Sequence, residues 1–232
     1  MSPLIVAIDG PAGAGKSSVS KILARRLNFA LVDTGAIYRC VALEARRRKI
    51  PLDDDERLGA LLDGLEISFK VEGEQNHVFL QGKDVSEEIR TPENSLAASQ
   101  VSARPVVRAG LLELQRRLAL GAKKGAILEG RDIGTVVFPE AQVKVFLFAD
   151  PKVRARRRYE ELFEKGAEKP LDKVEEEQNK RDKDDSEREV APLKPAQDSV
   201  QIDSSLLELS MVVERIEALV TAALARRAAE PR

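Results

Sequence analysis

One histidine, His77, and one cysteine, Cys40, occur among the 232 residues. A lone cysteine excludes an intramolecular disulfide and a thiolate metal site. A lone histidine removes multi-histidine metal centres and leaves little basis for histidine catalysis. His77 itself reads as an ordinary strand or turn residue. Charge of one sign is also missing: 38 basic residues face 39 acidic ones, which points to no nucleic-acid and no membrane partner. No apolar run approaches the ~20 residues that cross a bilayer. The chain enters an apolar strand almost at once, leaving no room for a signal peptide, so a cytoplasmic protein is expected. Chemistry here must rest on Lys, Arg, Asp, backbone groups and a bound metal ion. The length suits one large α/β domain or a core with a smaller insert.

What is present begins at Gly10. Gly10-Pro11-Ala12-Gly13-Ala14-Gly15-Lys16-Ser17 matches the phosphate-binding pattern G-x-x-x-x-G-K-[ST] in full. The apolar run Leu4–Ile8 before it reads as a buried strand. Val19, Ile22, Leu23, Ala24 and Leu27 after it fall at helical spacing. The bland alternative is a glycine-rich turn without a ligand, but strand, loop and helix in this order favour a nucleoside triphosphate. Glycines let successive N–H groups turn around a phosphate, and the helix N-terminus adds partial positive charge. Lys16 is expected to reach the outer phosphates, and the Ser17 hydroxyl to ligate Mg²⁺.

Residues 30–33, 125–130, 143–149 and 199–203 are further strand candidates, separated by helical segments. Asp150-Pro151 marks a helix start, and a last helix follows Ser204-Ser205 to about Arg227. Strand–helix alternation predicts a parallel sheet covered on both faces. Ligands of such sheets lie at the carboxyl ends of strands, where Asp33, residues 129–132 and Asp150 fall. From Leu65 to Val85, period-two alternation broken by Gly- and Asn-containing turns predicts a small antiparallel meander.

Two charged regions carry further signals. Residues 172–189 hold nine acidic and five basic residues, with Arg181, Asp185 and Arg188 sharing one helix face and Pro192 ending the helix. A self-satisfied surface network and a site for a phosphorylated, hydroxyl-bearing ligand both fit that spacing. Lys152, Arg154, Arg156, Arg157 and Arg158 open another helix, where cations oppose the helix dipole. Pairing one turn on, for example Arg157 with Glu161, is the plain account. A mobile arginine-rich segment closing over ATP phosphates is the sharper one. Arg46-Arg47-Arg48 ends an earlier helix and complements its dipole.

Absent motifs narrow the class. No Asp is followed three residues later by Gly, as a regulatory GTPase would require, and Asn179-Lys180-Arg181-Asp182 lies within the charged helix rather than after a strand. Leu128-Glu129-Gly130 and Phe148-Ala149-Asp150 are weak matches to the metal-binding strand end of a mechanical ATPase. Arginines near strand ends suit a second phosphorylated substrate.

Residues 9–18 (Asp9 to Ser18), 33–39 (Asp33-Thr34-Gly35-Ala36-Ile37-Tyr38-Arg39) and 130–139 (Gly130-Arg131-Asp132-Ile133-Gly134-Thr135-Val136-Val137-Phe138-Pro139) resemble the bacterial cytidylate kinases. So do Glu87–Arg90, Ala98–Ser102 and Arg181–Arg188 with Ala191-Pro192-Leu193. The resemblance spans nearly the whole chain. It implies a P-loop NTPase-type parallel sheet flanked by helices, with a core of about 1–62, 96–150 and 190–232. A nucleoside-monophosphate-binding β insert would take about 63–95, and an arginine-rich lid about 151–189. It further implies transfer of the ATP γ-phosphoryl group to CMP or dCMP. Balanced charge and the lack of a coiled-coil repeat point towards a monomer. Gly10 through Ser18 would hold ATP, with Lys16 on its phosphates and Ser17 near Mg²⁺. Arg39 and Arg131 would grip the acceptor phosphate. Thr34, Arg108 and Asp132 would surround cytosine, Ser99, Arg181 and Asp185 the sugar, and Arg188 would face the substrate. Arg157 and Arg158 would belong to the lid. With this resemblance, the shared face of 181, 185 and 188 is expected to be functional. Ala12 and Thr34 stand where many relatives have Ser, and Glu129 where Asp is common. Ala12 therefore lacks a hydroxyl for the acceptor phosphate. A kinase for UMP, AMP or shikimate, and a P-loop nucleotide sensor, are the competing readings.

Overall fold

The computed structural model describes residues 2–72, 75–164, 166 and 169–229. Leu4–Asp9 (β1) is a run of six buried residues whose alternate side chains serve two cores. Ile5 and Ala7 face one hydrophobic cluster, and Leu4, Val6 and Ile8 face the other. A strand buried on both faces is the reason its sequence is continuously apolar rather than alternating.

The chain continues through Lys16–Leu27 (α1), Ala30–Asp33 (β2), Thr34–Arg47 (α2) and Asp55–Leu62 (α3). Ile67–Glu72 (β3), Gln75–Leu80 (β4) and Lys83–Asp84 (β5) form a separate antiparallel sheet. Pro92–Ser102 (α4) and Pro105–Leu120 (α5) each open on proline at the first helical turn, where its missing N–H removes no helical bond. Gly125–Gly130 (β6), Val143–Phe148 (β7), Pro151–Glu164 (α6), Leu171–Glu187 (α7), Val200–Asp203 (β8) and Leu209–Ala229 (α8) complete the order. The main sheet runs β2-β6-β1-β7-β8, with every pairing parallel.

One face of the sheet packs on Val19 and Leu23 of α1 and on Val212, Val213, Ile216 and Val220 of α8. The other packs on α2 and α5 through Ile37, Val41, Val107 and Leu111. The small sheet joins this second cluster through Ile67, Val78 and Leu80, so it extends the main core rather than building its own. These are the α/β layers and the meander expected from the alternation. Strands 30–33 and 125–130 keep their expected bounds, β1 runs one residue further to Asp9, and β7 stops one earlier, at Phe148. The turn expected around Gly73-Glu74 lies outside the described residues.

One reading is extended and another corrected. Arg46, Arg47 and Arg48 do more than complement a dipole. Arg46 pairs with Glu93, Arg47 with Glu88 and Arg48 with Glu44, so the first two tie the end of α2 to the first turn of α4 and to the segment before it. The helix expected to run to Pro192 stops at Glu187, because Arg188 takes φ −56° and ψ 137°, outside the helical region.

Leu128 of β6 is fully buried in the second cluster. Leu128→Ala should cost about 2–5 kcal/mol of stability through lost burial and an unfilled cavity. A lower denaturant midpoint with an unchanged m-value checks this; an unchanged midpoint would contradict the packing described.

Candidate active site

The loop between β1 and α1 is held by its carbonyls. Lys16 Nζ donates to the Gly10 and Pro11 oxygens at 2.7 Å each. Arg154 Nη1 and Gln178 Nε2 both donate to the Ala12 oxygen at 3.1 Å, and Ser204 Oγ donates to the Ala14 oxygen at 3.0 Å. Among the described residues, no acceptor engages the amides of Gly13–Lys16. Carbonyls drawn outward and amides left free are the geometry of an anion nest at a helix N-terminus. Gly10 and Gly13 explain why the loop can close this tightly. A Cβ on Gly10, at φ 148°, would fall 1.9 Å from the Leu147 oxygen, and one on Gly13 would meet Arg154 and Gln178 at 3.1 Å.

Ser17 is exposed and donates to Glu129 Oε2 at 2.8 Å, whereas Ser18 is exposed with no partner among the described residues. Glu129 is the last residue but one of β6, beside Ile8 of β1, and is only 4 % exposed. Burial, reinforced by the Asp33 charge, pushes its carboxyl up to about 7. Burial, with Arg131 nearby, draws the Lys16 ammonium down to about 7. Two hard oxygens, one hydroxyl and one carboxylate, at the mouth of an anion nest suit Mg²⁺ coordination. Glu129 was underrated in the sequence, because only the β1–β6 register brings it to Ser17.

Across the sheet edge lies a second group of charges. Arg131 Nε donates to Asp185 Oδ2 at 2.8 Å, and Arg188 Nη1 lies 3.5 Å from Asp185 Oδ1. Burial raises the Asp185 pKa, but the Arg131 charge and hydrogen bond outweigh it and hold this carboxyl below its usual range. The Arg181 side chain makes no hydrogen bond among the described residues, and its Nε is buried without an acceptor. Burial, followed by the Arg131 charge, lowers its guanidinium to about 10. Arg39 donates to the Ile89 oxygen at 3.1 Å and to Ser95 Oγ at 2.5 Å. A cavity of about 380 Å³ beside Arg188 is lined by Ala103, Pro105 and Asp184.

Arg108 and Asp132 form a buried ion pair. Arg108 also donates to the Ser102 oxygen at 3.0 Å and lies 5.4 Å from the Tyr38 ring centre, while its Nε has no acceptor. Tyr38 and Gln178 were both missed in the sequence, since each reads as ordinary helix patterning. Thr34 donates its hydroxyl to the Glu129 oxygen at 2.6 Å, which brings it to the end of β6. Ser99 is half-buried on α4, and among the described residues its hydroxyl touches none of the arginines.

The basic start of α6 divides. Arg154 is buried, paired with Asp182 at 2.5 Å and clamped on the phosphate loop. Arg156 pairs with Glu160, and Arg158, rather than Arg157, pairs with Glu161. Arg157 Nη2 donates to the Ser204 oxygen at 2.7 Å. His77 sits in β4 against Asp84, with Nδ1 at 2.7 Å from Oδ2.

A family model described as cytidylate kinase matches residues 6–222. A protein named cytidylate kinase from Citrifermentans bemidjiense is 52% identical over 223 residues, covering 96% of this chain and 95% of its own. One of the same name from Bacillus cereus is 42% identical over 221 residues, covering 95% of this chain and 97% of its own. An uncharacterized protein from Eubacterium ventriosum shares the fold, with a TM-score of 0.52 at 14% identity over 94% of this chain and 99% of its own.

The raised Glu129 pKa has a stability consequence. The folded protein holds that proton more tightly than the unfolded chain, so the associated stability is full below about 4.5 and lost as pH rises through about 7. The denaturation midpoint of ligand-free protein should fall between about pH 5 and about pH 7.5, and Glu129→Gln should make that fall distinctly smaller. An equal fall in the variant would contradict the assignment.

Proposed function

This chain belongs to the cytidylate kinase family, and on that premise we propose that it transfers the γ-phosphoryl group of ATP to CMP or dCMP, giving ADP and CDP or dCDP. The observation that carries this reading is the proximity of two anion sites. The charges of Arg131 and Arg181 both act on the ammonium of Lys16, so the acceptor arginines lie close to the phosphate loop. Phosphoryl transfer asks little covalent work of a protein; it asks for alignment and for positive charge around the migrating group.

On the donor side, the free amides of the loop would take the ATP phosphates, and Lys16 would leave the Gly10 and Pro11 oxygens for them. Mg²⁺ would be held at Ser17 and Glu129, where it would neutralise phosphate charge. On the acceptor side, Arg39, Arg131, Arg181 and Arg188 would bind the CMP phosphate and orient its oxygen for attack. Asp185, anchored by Arg131 and Arg188, would accept hydrogen bonds from the sugar hydroxyls beside Ser99. Arg108 and Asp132 would read cytosine, the carboxylate accepting from the 4-amino group and the guanidinium donating to O2 or N3. Uracil would turn a carbonyl toward Asp132, leaving buried polar groups opposed, which gives strong rejection. Thr34 sits at the same strand end. No histidine base is needed.

We propose that residues of about 151–189 act as a lid and about 63–95 as the monophosphate-binding insert, moving on the remaining core. Arg157 and Arg158 would then exchange Ser204 and Glu161 for phosphate oxygens, and closure would exclude water. The assignment includes action as a cytoplasmic monomer.

An ADP-release assay with ATP and a panel of monophosphates tests the activity: CMP and dCMP should turn over well. Turnover with another acceptor but none with CMP above background would overturn the reading. Lys16→Ala should lower kcat at least ~100-fold, as expected for one preorganised charge at a transition state; near-normal turnover would remove Lys16 from this role. Asp185→Ala should change the ratio of kcat/KM for CMP and dCMP, and an unchanged ratio would dissociate Asp185 from the sugar.

A further inference from the structure

Asp9 is the last residue of β1 and is 4 % exposed. Its main chain runs straight into the phosphate loop, but its side chain points to the acceptor half. Oδ1 accepts from the Ile133 amide at 2.8 Å and Oδ2 from the Gly134 amide at 2.7 Å. These two amides open the wide helical turn Ile133–Val137, where the first N–H groups lack an acceptor within the turn. The cap therefore comes from 124 residues away rather than from the turn's own flank.

Its position is informative. Parallel pairing of β1 with β6 ends at Asp9 and Gly130. Beyond Gly130 the chain leaves the sheet, and Asp132 adopts φ −144° and ψ 24°, outside regular structure. Arg131 and Asp132 thus occupy the short span between the last strand pairing and the carboxylate clamp. Both ends of that span are fixed by the same residue, Asp9. The side chains so held are the ones joined to Asp185 and to Arg108.

The residue type follows from the two amides. Only a carboxylate offers two acceptor oxygens at that spacing. Asparagine would present one oxygen and one NH₂ group, which would face a backbone N–H without an acceptor. Keeping an acid here opposes burial, which pushes its carboxyl up to about 6 against the two amide bonds. A neutral cap would avoid that cost if capping a turn were the only requirement.

We propose that Asp9 is a positioning residue for phosphoryl transfer, setting the aim of Arg131 and Asp132 from the strand that carries the donor loop. This rests on the acceptor-site reading above. One carboxylate thereby registers the two halves of the site against each other. The donor loop follows its backbone, while the phosphate-gripping arginine and base-reading aspartate follow its side chain.

Steady-state kinetics of Asp9→Asn with CMP, UMP and ATP test this. KM for CMP should rise at least ~10-fold and the preference for CMP over UMP should shrink, with KM for ATP held within about twofold. A merely structural role would lower kcat with the folded fraction and leave KM for CMP and the base preference unchanged, and that result would overturn the proposal. An equal rise in both KM values would also overturn it, by placing the effect in the donor loop. Gly134→Ala provides a second variant that keeps the charge. Its Cβ would press on the clamp at 3.4 Å from Asp9 Oδ2 and 3.3 Å from Lys144 Cδ. A smaller rise in KM for CMP is expected, and if Asp9→Asn does not fold, an unchanged value in Gly134→Ala rejects the idea. Absence of CMP turnover in the unmodified protein would instead reject the function itself, so the two failures are distinguishable.

Discussion

Cations crowded at one edge of a parallel sheet repel one another, and the organisation of this site follows from how that repulsion is contained. Burial lowers the proton affinity of Lys16, Arg39 and Arg181, and the positive charge of Arg131 acts on all three. Asp185 is the counterweight. It holds Arg131 and Arg188 directly, and its charge acts on Arg181. Removing one partner from such a buried network leaves the others uncompensated, which is costlier than the network's net stabilisation. Arg181, with a buried Nε that has no acceptor, marks where the compensation is incomplete. An arriving phosphate would complete it.

The same edge gives the phosphate loop its shape. Four elements bind the outward carbonyls of the loop: Lys16 of α1 those of Gly10 and Pro11, Arg154 of α6 and Gln178 of α7 that of Ala12, and Ser204 after β8 that of Ala14. Helices α6 and α7 are therefore attached to the phosphate loop, and α7 also carries Arg181 and Asp185. A change at the loop has a direct path to Asp182 and Asp185 through Arg154 and α7. Ala12 gains a role here that does not depend on a side chain, because its carbonyl receives both of those helices.

Local patterns were readable from the sequence, and long-range partners were not. Strand bounds and the phosphate loop depend on apolar runs, β-branched residues and glycine placement within a few positions, so they were recovered almost residue by residue. The common face of Arg181, Asp185 and Arg188 followed from helical spacing. By contrast, spacing could not separate Arg154 from Arg156, two residues apart on the same basic helix. Only Arg154 meets Ala12 and Asp182, and it is buried, while Arg156 stays in solvent with Glu160. Glu129 looked like a weak motif because its partner Ser17 is 112 residues away. Strand–helix alternation put Arg131 and Asp132 at a ligand-facing strand end, but their roles, and Arg39 and Arg108 altogether, came through family resemblance. Arg46 and Arg47 were read as local dipole partners, whereas Glu93 and Glu88 reach them from another element.

The central claim is that the arginines around Asp185 form an anion site for the acceptor phosphate, adjacent to the donor loop. Calorimetric titration of the protein with CMP and with cytidine measures this without turnover. Charge-assisted hydrogen bonds to a phosphate should make CMP bind at least ~100-fold more tightly than cytidine. Equal affinity for the two would contradict the account, because the arginine cluster would then contribute nothing to holding the acceptor.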